Sequence, residues 1–196
     1  STEDAKLLED LYESFKANGA TLNKDDKEKY RKLSMDLSML TLQFDQNALK
    51  DKNRFELLIT DENELSGLPE SARDAAAMLA KSKDKNGWLF NLSAPSYIPF
   101  MRYSDKRDLR EKMYREYMSV GNKGDEFDNK DIIKKIVNIR LEIAQLMGFK
   151  NYAEYALEHT MAKNSANVYK LLNQLLEAYK PIAINEYNAV EGFALG

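Results

Sequence analysis

Two long stretches of the chain repeat apolar residues every three or four positions, which is the period of a helix buried on one side. In the first stretch these residues are Tyr30, Leu33, Leu37, Leu40 and Phe44. In the second they are Ile132, Ile136, Ile139, Ile143 and Leu146, with Ile133, Val137, Ala144 and Met147 widening the stripe. A stripe this broad predicts neighbours on more than one side. We therefore expect a fold built from long amphipathic helices.

Both ends of the chain are predicted to be helical. Residues 1–53 are expected to form a helical hairpin, because an apolar face ends at the stop signal Asn18-Gly19 before the first long helix. Residues 104–196 are expected to form a helical region that begins with Ser104 as N-cap and contains a helix kinked at Pro181. The apolar faces are Leu7, Leu8, Leu11 and Phe15 in the first helix and Val168, Leu171, Leu172, Leu175 and Tyr179 in the last.

Residues 54–103 interrupt the helical period with apolar residues at every second position, which is typical of half-buried strands. These residues are Phe55, Leu57 and Ile59 in one stretch and Trp88, Phe90 and Leu92 in the other. The alanine-rich segment after Pro69 predicts a helix between the strands, and Pro95 and Pro99 predict an irregular loop after them. The fold class is mainly α: a bundle-like array of helices with a small two-strand β element, in a single helical fragment over 1–196.

The composition makes several functions improbable. A net charge of -3, from 29 basic and 32 acidic residues, gives no basic field for nucleic acid or an anionic membrane, so neither is an expected partner. No apolar run approaches the roughly 18 residues of a membrane-spanning helix, and the first residues lack the basic and apolar segments of a signal peptide. Because the chain has no cysteine, thiolate metal sites, disulfides and cysteine nucleophiles are excluded.

His159 is the first candidate for chemistry, because it is the only histidine and has Glu154, Tyr155 and Glu158 beside it. A helical zinc peptidase site needs two histidines four residues apart with a glutamate beside the first, which "LEHTM" does not supply. We therefore interpret His159 as a structural residue. An alternative is a carboxylate-rich metal enzyme that uses Glu154, Glu158 and His159.

The other candidate motifs have simpler interpretations. Asp125, Asp128 and Asp131 do not have the alternating spacing of a calcium loop, and we expect Asp128 to cap the following helix. The "GNKG" stretch at 121–124 has no strand leading into it, so it is not interpreted as a phosphate loop. Without a nucleophile elbow we expect no serine triad, while a chance pair of carboxylates for glycoside hydrolysis stays open. No catalytic, cofactor-binding or metal-ligating residue is assigned.

Six tyrosines lie within apolar helical stripes, where packing in the core with the hydroxyl directed to water is the expected role. They are Tyr12, Tyr30, Tyr114, Tyr117, Tyr169 and Tyr179. The alternative is a binding surface for peptide or sugar.

Several blocks taken together resemble the thimet-oligopeptidase family of zinc metallopeptidases, with bacterial peptidyl-dipeptidases (dipeptidyl carboxypeptidases) as the most similar members. The resemblance extends from about Leu7 to about Ile182, and its specificity comes from the order of the blocks. They are "FDQN", "ELSGLPES", "NLSAPSYIPFM", "RDLREKMYREYMSVGN", "DNKDIIKKIVNIRLEIAQLMGFKNYAEYAL" and "MAKNSANVYKLLNQLLE".

The resemblance implies a peptidase whose zinc is held by an H-E-x-x-H helix and a later glutamate, outside this chain. This chain then corresponds to a non-catalytic N-terminal segment, inactive alone, that forms a wall of a channel for oligopeptides. The expected activity of the parent is release of C-terminal dipeptides, and the cytoplasm is expected rather than the periplasm. Expected partners are oligopeptide substrate and the missing C-terminal catalytic half, without which the fragment is expected to self-associate through the last helix or the helix over 132–147. The alternative is a free-standing helical interaction module.

Overall fold

The computed structural model describes residues 2–195. Its elements are α1 (Thr2–Ala17), α2 (Lys24–Arg54), β1 (Leu57–Ile59), a 3-10 turn (Glu62–Leu65), α3 (Glu70–Ser82), β2 (Trp88–Phe90), α4 (Ala94–Tyr103), α5 (Arg107–Met118), α6 (Lys130–Leu146), α7 (Tyr152–Leu157) and α8 (Ser165–Leu195). The prediction of a mainly α fold with a small two-strand sheet is confirmed. No described helix is both long enough and apolar enough to cross a membrane.

The chain divides into two compact units. One is the continuous segment 37–137, and the other combines the residues up to Asp36 with those from Asn138 onward. Helices α2 and α6 each contribute residues to both units. The predicted subdivision at 53/54 and 103/104 within a single fragment stays a prediction.

The central unit, 37–137, has its core around the sheet. Strands β1 and β2 are antiparallel, with Leu57 opposite Phe90 and Ile59 opposite Trp88. Leu57 and Ile59 are buried while Leu58 is exposed, as the period of two predicts. The core cluster consists of Phe55, Leu57, Ile59, Leu65, Leu68, Ala76, Phe90, Leu92, Phe100 and Met113.

The predicted proline loop after β2 is wrong, because this segment is helix α4. Pro95 lies in the first turn, where a backbone N–H has no partner within the helix. Pro99 lies inside the helix and lacks one hydrogen bond, but the next residue, Phe100, is fully buried with its ring edge-on to Phe90 at 4.7 Å. Burial of Phe100 thus keeps the segment helical despite its prolines.

The predicted N-cap at Ser104 is also wrong. Ser104 ends α4, and α5 begins only at Arg107, with Lys106 as its N-cap residue. The Ser104 hydroxyl instead accepts a hydrogen bond from the Lys106 N–H at 3.2 Å, which stabilises the tight turn between the two helices.

The apolar faces of the helices differ in how far the chain covers them. The predicted face of α2, from Tyr30 to Phe44, is half-buried, so that stripe is confirmed. Helix α1 contains no buried residue, and its predicted apolar face is exposed. Helix α8 continues through Pro181 and also has no buried residue. Of the five residues predicted to turn inward, Val168 is half-buried, but the prediction is wrong for Leu171, Leu172, Leu175 and Tyr179, which are 43–63% exposed.

Candidate functional site

His159 lies on the surface just beyond α7, with 46% of its side chain exposed. Its Nε2 atom is 3.4 Å from a carboxylate oxygen of Glu158. The neighbouring acid Glu154 accepts a hydrogen bond from the Ser165 hydroxyl at the start of α8. Among residues 2–195, no group of three or more histidine, aspartate or glutamate side chains is arranged to hold a metal ion. The alternative metal site of Glu154, Glu158 and His159 is therefore not assembled.

Tyr155 gives the segment around His159 a packing role. Its hydroxyl donates a hydrogen bond to the Ala17 carbonyl oxygen at 2.8 Å and so links α7 to the end of α1. Burial, followed by a hydrogen bond with Tyr30, raises the pKa of Tyr155 well above its ordinary value. The rings of Phe149 and Tyr152 lie 5.5 and 5.9 Å from that of Tyr155. A hydroxyl that stays protonated and donates to the backbone serves structure rather than catalysis.

The three aspartates of the 125–131 segment are each used locally. Asp125 pairs with Arg54, whose hydrogen bond lowers the pKa of the Asp125 carboxyl. Asp128 accepts two backbone N–H groups at 2.7 and 2.9 Å, and Lys130 lowers its pKa from 3.8 to about 2. One of those N–H groups belongs to Lys130, the first residue of α6, so the predicted capping role of Asp128 is confirmed. Asp131 forms an exposed ion pair in the first turn.

The side chain of Asp51, near the end of α2, is fully buried. Its Oδ2 atom accepts a hydrogen bond from the Gly121 N–H at 2.7 Å, and its Oδ1 atom accepts one from the Lys123 ammonium at 3.1 Å. The Arg54 Nε atom lies 2.7 Å from the same Oδ1 atom. The "GNKG" loop thus binds a carboxylate of its own chain.

The cations around Asp51 are themselves held in place. Burial alone would lower the pKa of Lys123, but hydrogen bonds to Glu116 and Asp51 raise it. The hydrogen bond to Asp125 likewise raises the pKa of Arg54. Because a buried carboxylate is costly unless it is paired and hydrogen-bonded, this network makes the burial of Asp51 possible.

Two buried asparagines extend the same junction. The Asn129 side chain accepts a hydrogen bond from the Asn47 amide at 3.1 Å and donates one to the Phe44 carbonyl at 3.0 Å. The backbone N–H of Asn129 also donates to the Gly121 carbonyl at 2.8 Å. The end of α2, the 121–129 loop and the start of α6 are therefore joined by polar contacts.

This network was not predicted from the sequence, although the sequence contains a signal for it. Continuing the spacing of the α2 stripe beyond Phe44 by three and then four residues reaches Asn47 and Asp51. Polar residues at predicted inward positions need buried partners. The period locates these two residues, but it does not identify Gly121, Lys123 or Asn129 as the partners.

The tyrosine prediction is largely wrong. Tyr30 is half-buried, as expected, whereas the other five lie on the surface. These five are Tyr12, Tyr114, Tyr117, Tyr169 and Tyr179. Helices α1 and α8, which carry Tyr12, Tyr169 and Tyr179, bury no residue, whereas α5 buries Met113 but leaves Tyr114 and Tyr117 on the surface.

Comparison with known proteins gives the first evidence that bears on activity. Residues 100–195 match the sequence profile of Peptidase family M3. The chain is 36% identical to oligopeptidase A of Haemophilus influenzae over 98% of its own length and 29% of that protein's. It is 37% identical to the "Probable cytosolic oligopeptidase A" of Arabidopsis thaliana, over 96% of the chain and 28% of the relative.

A dipeptidyl carboxypeptidase of Escherichia coli is less similar, at 29% identity over 97% of the chain and 28% of the relative. The resemblance to thimet-oligopeptidase-like peptidases is therefore confirmed at the level of the family, but the expected special likeness to peptidyl-dipeptidases is not. The chain spans less than a third of the length of these relatives.

Replacing Asp51 with asparagine tests the buried network. Asp51→Asn removes the charge that pairs with Lys123 and Arg54, and we expect the free energy of unfolding to fall by about 2–3 kcal/mol, since both cations can still reach water. Urea unfolding followed by the fluorescence of Trp88, the only tryptophan, measures this loss in the central unit. Asp45→Asn, at an exposed position of the same helix, is the matched control. Equal stability of the two variants would contradict the assigned role of Asp51.

Proposed function

We propose that this chain is the N-terminal helical segment of a zinc metallopeptidase that hydrolyses oligopeptides. Residues 100–195 match Peptidase family M3, and the chain is similar to oligopeptidases A along nearly its whole length. The observation that carries this proposal is the 35–36% identity to three bacterial oligopeptidases A over at least 98% of the chain. In this proposal the protein acts in the cytoplasm, a compartment that the name of the Arabidopsis relative also states for that protein.

The zinc of the proposed parent is held by residues outside this chain. His159 does not fit a zinc site, since its nearest partner is Glu158 and no second histidine exists in the sequence. In the parent, zinc would supply an activated water for attack on a peptide carbonyl. In this proposal the segment contributes structure and contacts to peptide but no zinc ligand. It is therefore proposed to be inactive alone.

In the parent, the segment is proposed to form one wall of the substrate channel and to pack against the catalytic part through α8. Support comes from the apolar residues that α8 exposes along one face, among them Leu171, Leu172 and Leu175. A soluble protein seldom leaves so continuous an apolar face uncovered unless another surface packs on it. The same face would cause the isolated segment to self-associate.

Sedimentation velocity over a range of concentrations tests the role of α8. We expect the average mass of the segment to rise with concentration, because burying the apolar face of α8 against a second copy is favourable. Leu172→Glu is expected to shift the distribution toward monomer. Asn173→Glu adds the same side chain to another face of the helix and serves as the control. A monomer at every concentration would contradict the proposed interface.

Product analysis of the full-length parent tests the activity and its type. We expect cleavage of an unstructured oligopeptide at internal bonds, even when its C-terminus is amidated, and loss of cleavage on zinc chelation. Internal cleavage is favoured over dipeptide release because oligopeptidases A are 35–38% identical to the chain and dipeptidyl carboxypeptidases 26–29%. Mass spectrometry distinguishes the two. Stepwise loss of two residues from a free C-terminus would support the peptidyl-dipeptidase type, and no cleavage would contradict peptidase function.

A further inference from the structure

A groove of about 390 Å³ lies where α4 meets α5. Its lining residues are Met101, Arg107, Arg110, Glu111, Tyr114 and Arg115. All of these residues belong to the central unit. Neither the buried network of Asp51 nor the exposed face of α8 includes any of these residues, so no role described above accounts for them.

The groove is strongly positive for this chain. Three arginines and one glutamate give its lining a net charge of +2, whereas the whole chain carries -3. The Glu111 carboxylate is engaged by Arg115 at 2.7 Å. The nearby Asp105 accepts a hydrogen bond from the Ser66 hydroxyl at 2.7 Å. Glu111, the one acid in the lining, therefore already has a cationic partner.

Two of the arginines are available to a ligand. Arg110 donates a hydrogen bond from one terminal nitrogen to the Ser104 carbonyl, which fixes the side chain and leaves further N–H groups of its guanidinium. Arg107 is exposed, and within residues 2–195 no acidic side chain lies within ion-pair distance of it. The lining of the groove thus contains one anchored and one unpaired guanidinium.

The dimensions and the lining indicate an extended acidic ligand rather than a small ion. From Arg107 to Arg115 the helix rises about 12 Å, which matches three to four residues of extended peptide. Guanidinium groups bind carboxylates through paired N–H donors. Met101 and Tyr114 supply apolar contact area that a bare inorganic anion would not use.

We propose that this groove binds the side-chain carboxylates of an acidic segment in an oligopeptide. The identification of the ligand as a peptide rests on the proposed function, and the inference adds a preferred class of substrate. Glutamate-rich and aspartate-rich peptides would contact Arg107 and Arg110, with an apolar side chain of the same peptide against Tyr114.

Fluorescence anisotropy with the 196-residue chain tests this proposal without requiring catalysis. The probe is a labelled, C-terminally amidated heptapeptide that contains three consecutive glutamates and one leucine. We expect it to bind about tenfold more tightly than the same peptide with glutamines, and the difference to shrink as salt is added. Equal binding of the two peptides would overturn the proposal.

Variants then locate the binding site. Arg107→Gln is expected to weaken binding of the glutamate peptide about fivefold. Lys112→Gln removes the same charge from another face of α5 and is expected to have little effect. Urea unfolding should give equal stability for the two variants, since no described contact holds Arg107. Equal weakening by both would indicate a general charge effect and overturn the assignment to the groove.

Two further probes distinguish other anions. A neutral peptide with a free C-terminus that binds as tightly as the glutamate peptide would assign the groove to the terminal carboxylate instead. Competition by inorganic phosphate as effective as that by the glutamate peptide would assign it to small anions. Either result overturns the proposal. Because none of these measurements involves hydrolysis, a failure here leaves the proposed peptidase function intact, and inactivity of the parent leaves a positive binding result intact.

Discussion

The buried carboxylate of Asp51 organises the central unit. A charge removed from water destabilises a fold unless hydrogen bonds and counter-charges replace the lost hydration. Here Arg54, from the same helix, supplies one of these contacts. The Gly121 N–H and Lys123 supply the others, and they can do so only when the loop after α5 lies against the end of α2. Gly121 has a left-handed backbone conformation, which glycine adopts readily. A Cβ atom at this position would lie 3.0 Å from the side-chain amide nitrogen of Asn129, so glycine allows the loop to approach Asn129 closely. The loop held by Asp51 in turn binds Asn129, the residue before α6, through the Gly121 carbonyl.

The sequence predicted those parts of the fold that follow from local periodicity. Period two identified β1 and β2, and the spacing of three and four identified α2 and α6. Helix α4 was missed because local rules penalise Pro99, whereas burial of Phe100 comes from partners distant in sequence. The Asp51 network was missed for the same reason, since its loop partners lie about 70 residues away.

The segment around His159 and the exposed helices show a second kind of feature that the sequence alone did not predict. His159 is the only histidine of the sequence, but its ion-pair partner Glu158 is exposed, and the described residues do not assemble a group of three possible metal ligands around it. The apolar faces of α1 and α8 were correctly identified as faces, yet the prediction that the face of α8 turns inward was wrong. A periodic pattern shows that a helix has an apolar side, but it does not show whether the covering surface belongs to the same chain. The relatives, more than three times as long, suggest where such a surface is found.

The central claim is that this chain is a helical segment of a zinc peptidase whose catalytic residues lie elsewhere in the same protein. Reading the coding sequence beyond residue 196 tests this claim most directly. The account predicts a continuous reading frame that contains an H-E-x-x-H motif followed by a further glutamate. A stop codon within a few dozen residues would contradict it. The helices would then have to function as a free-standing module whose partners bind the exposed faces.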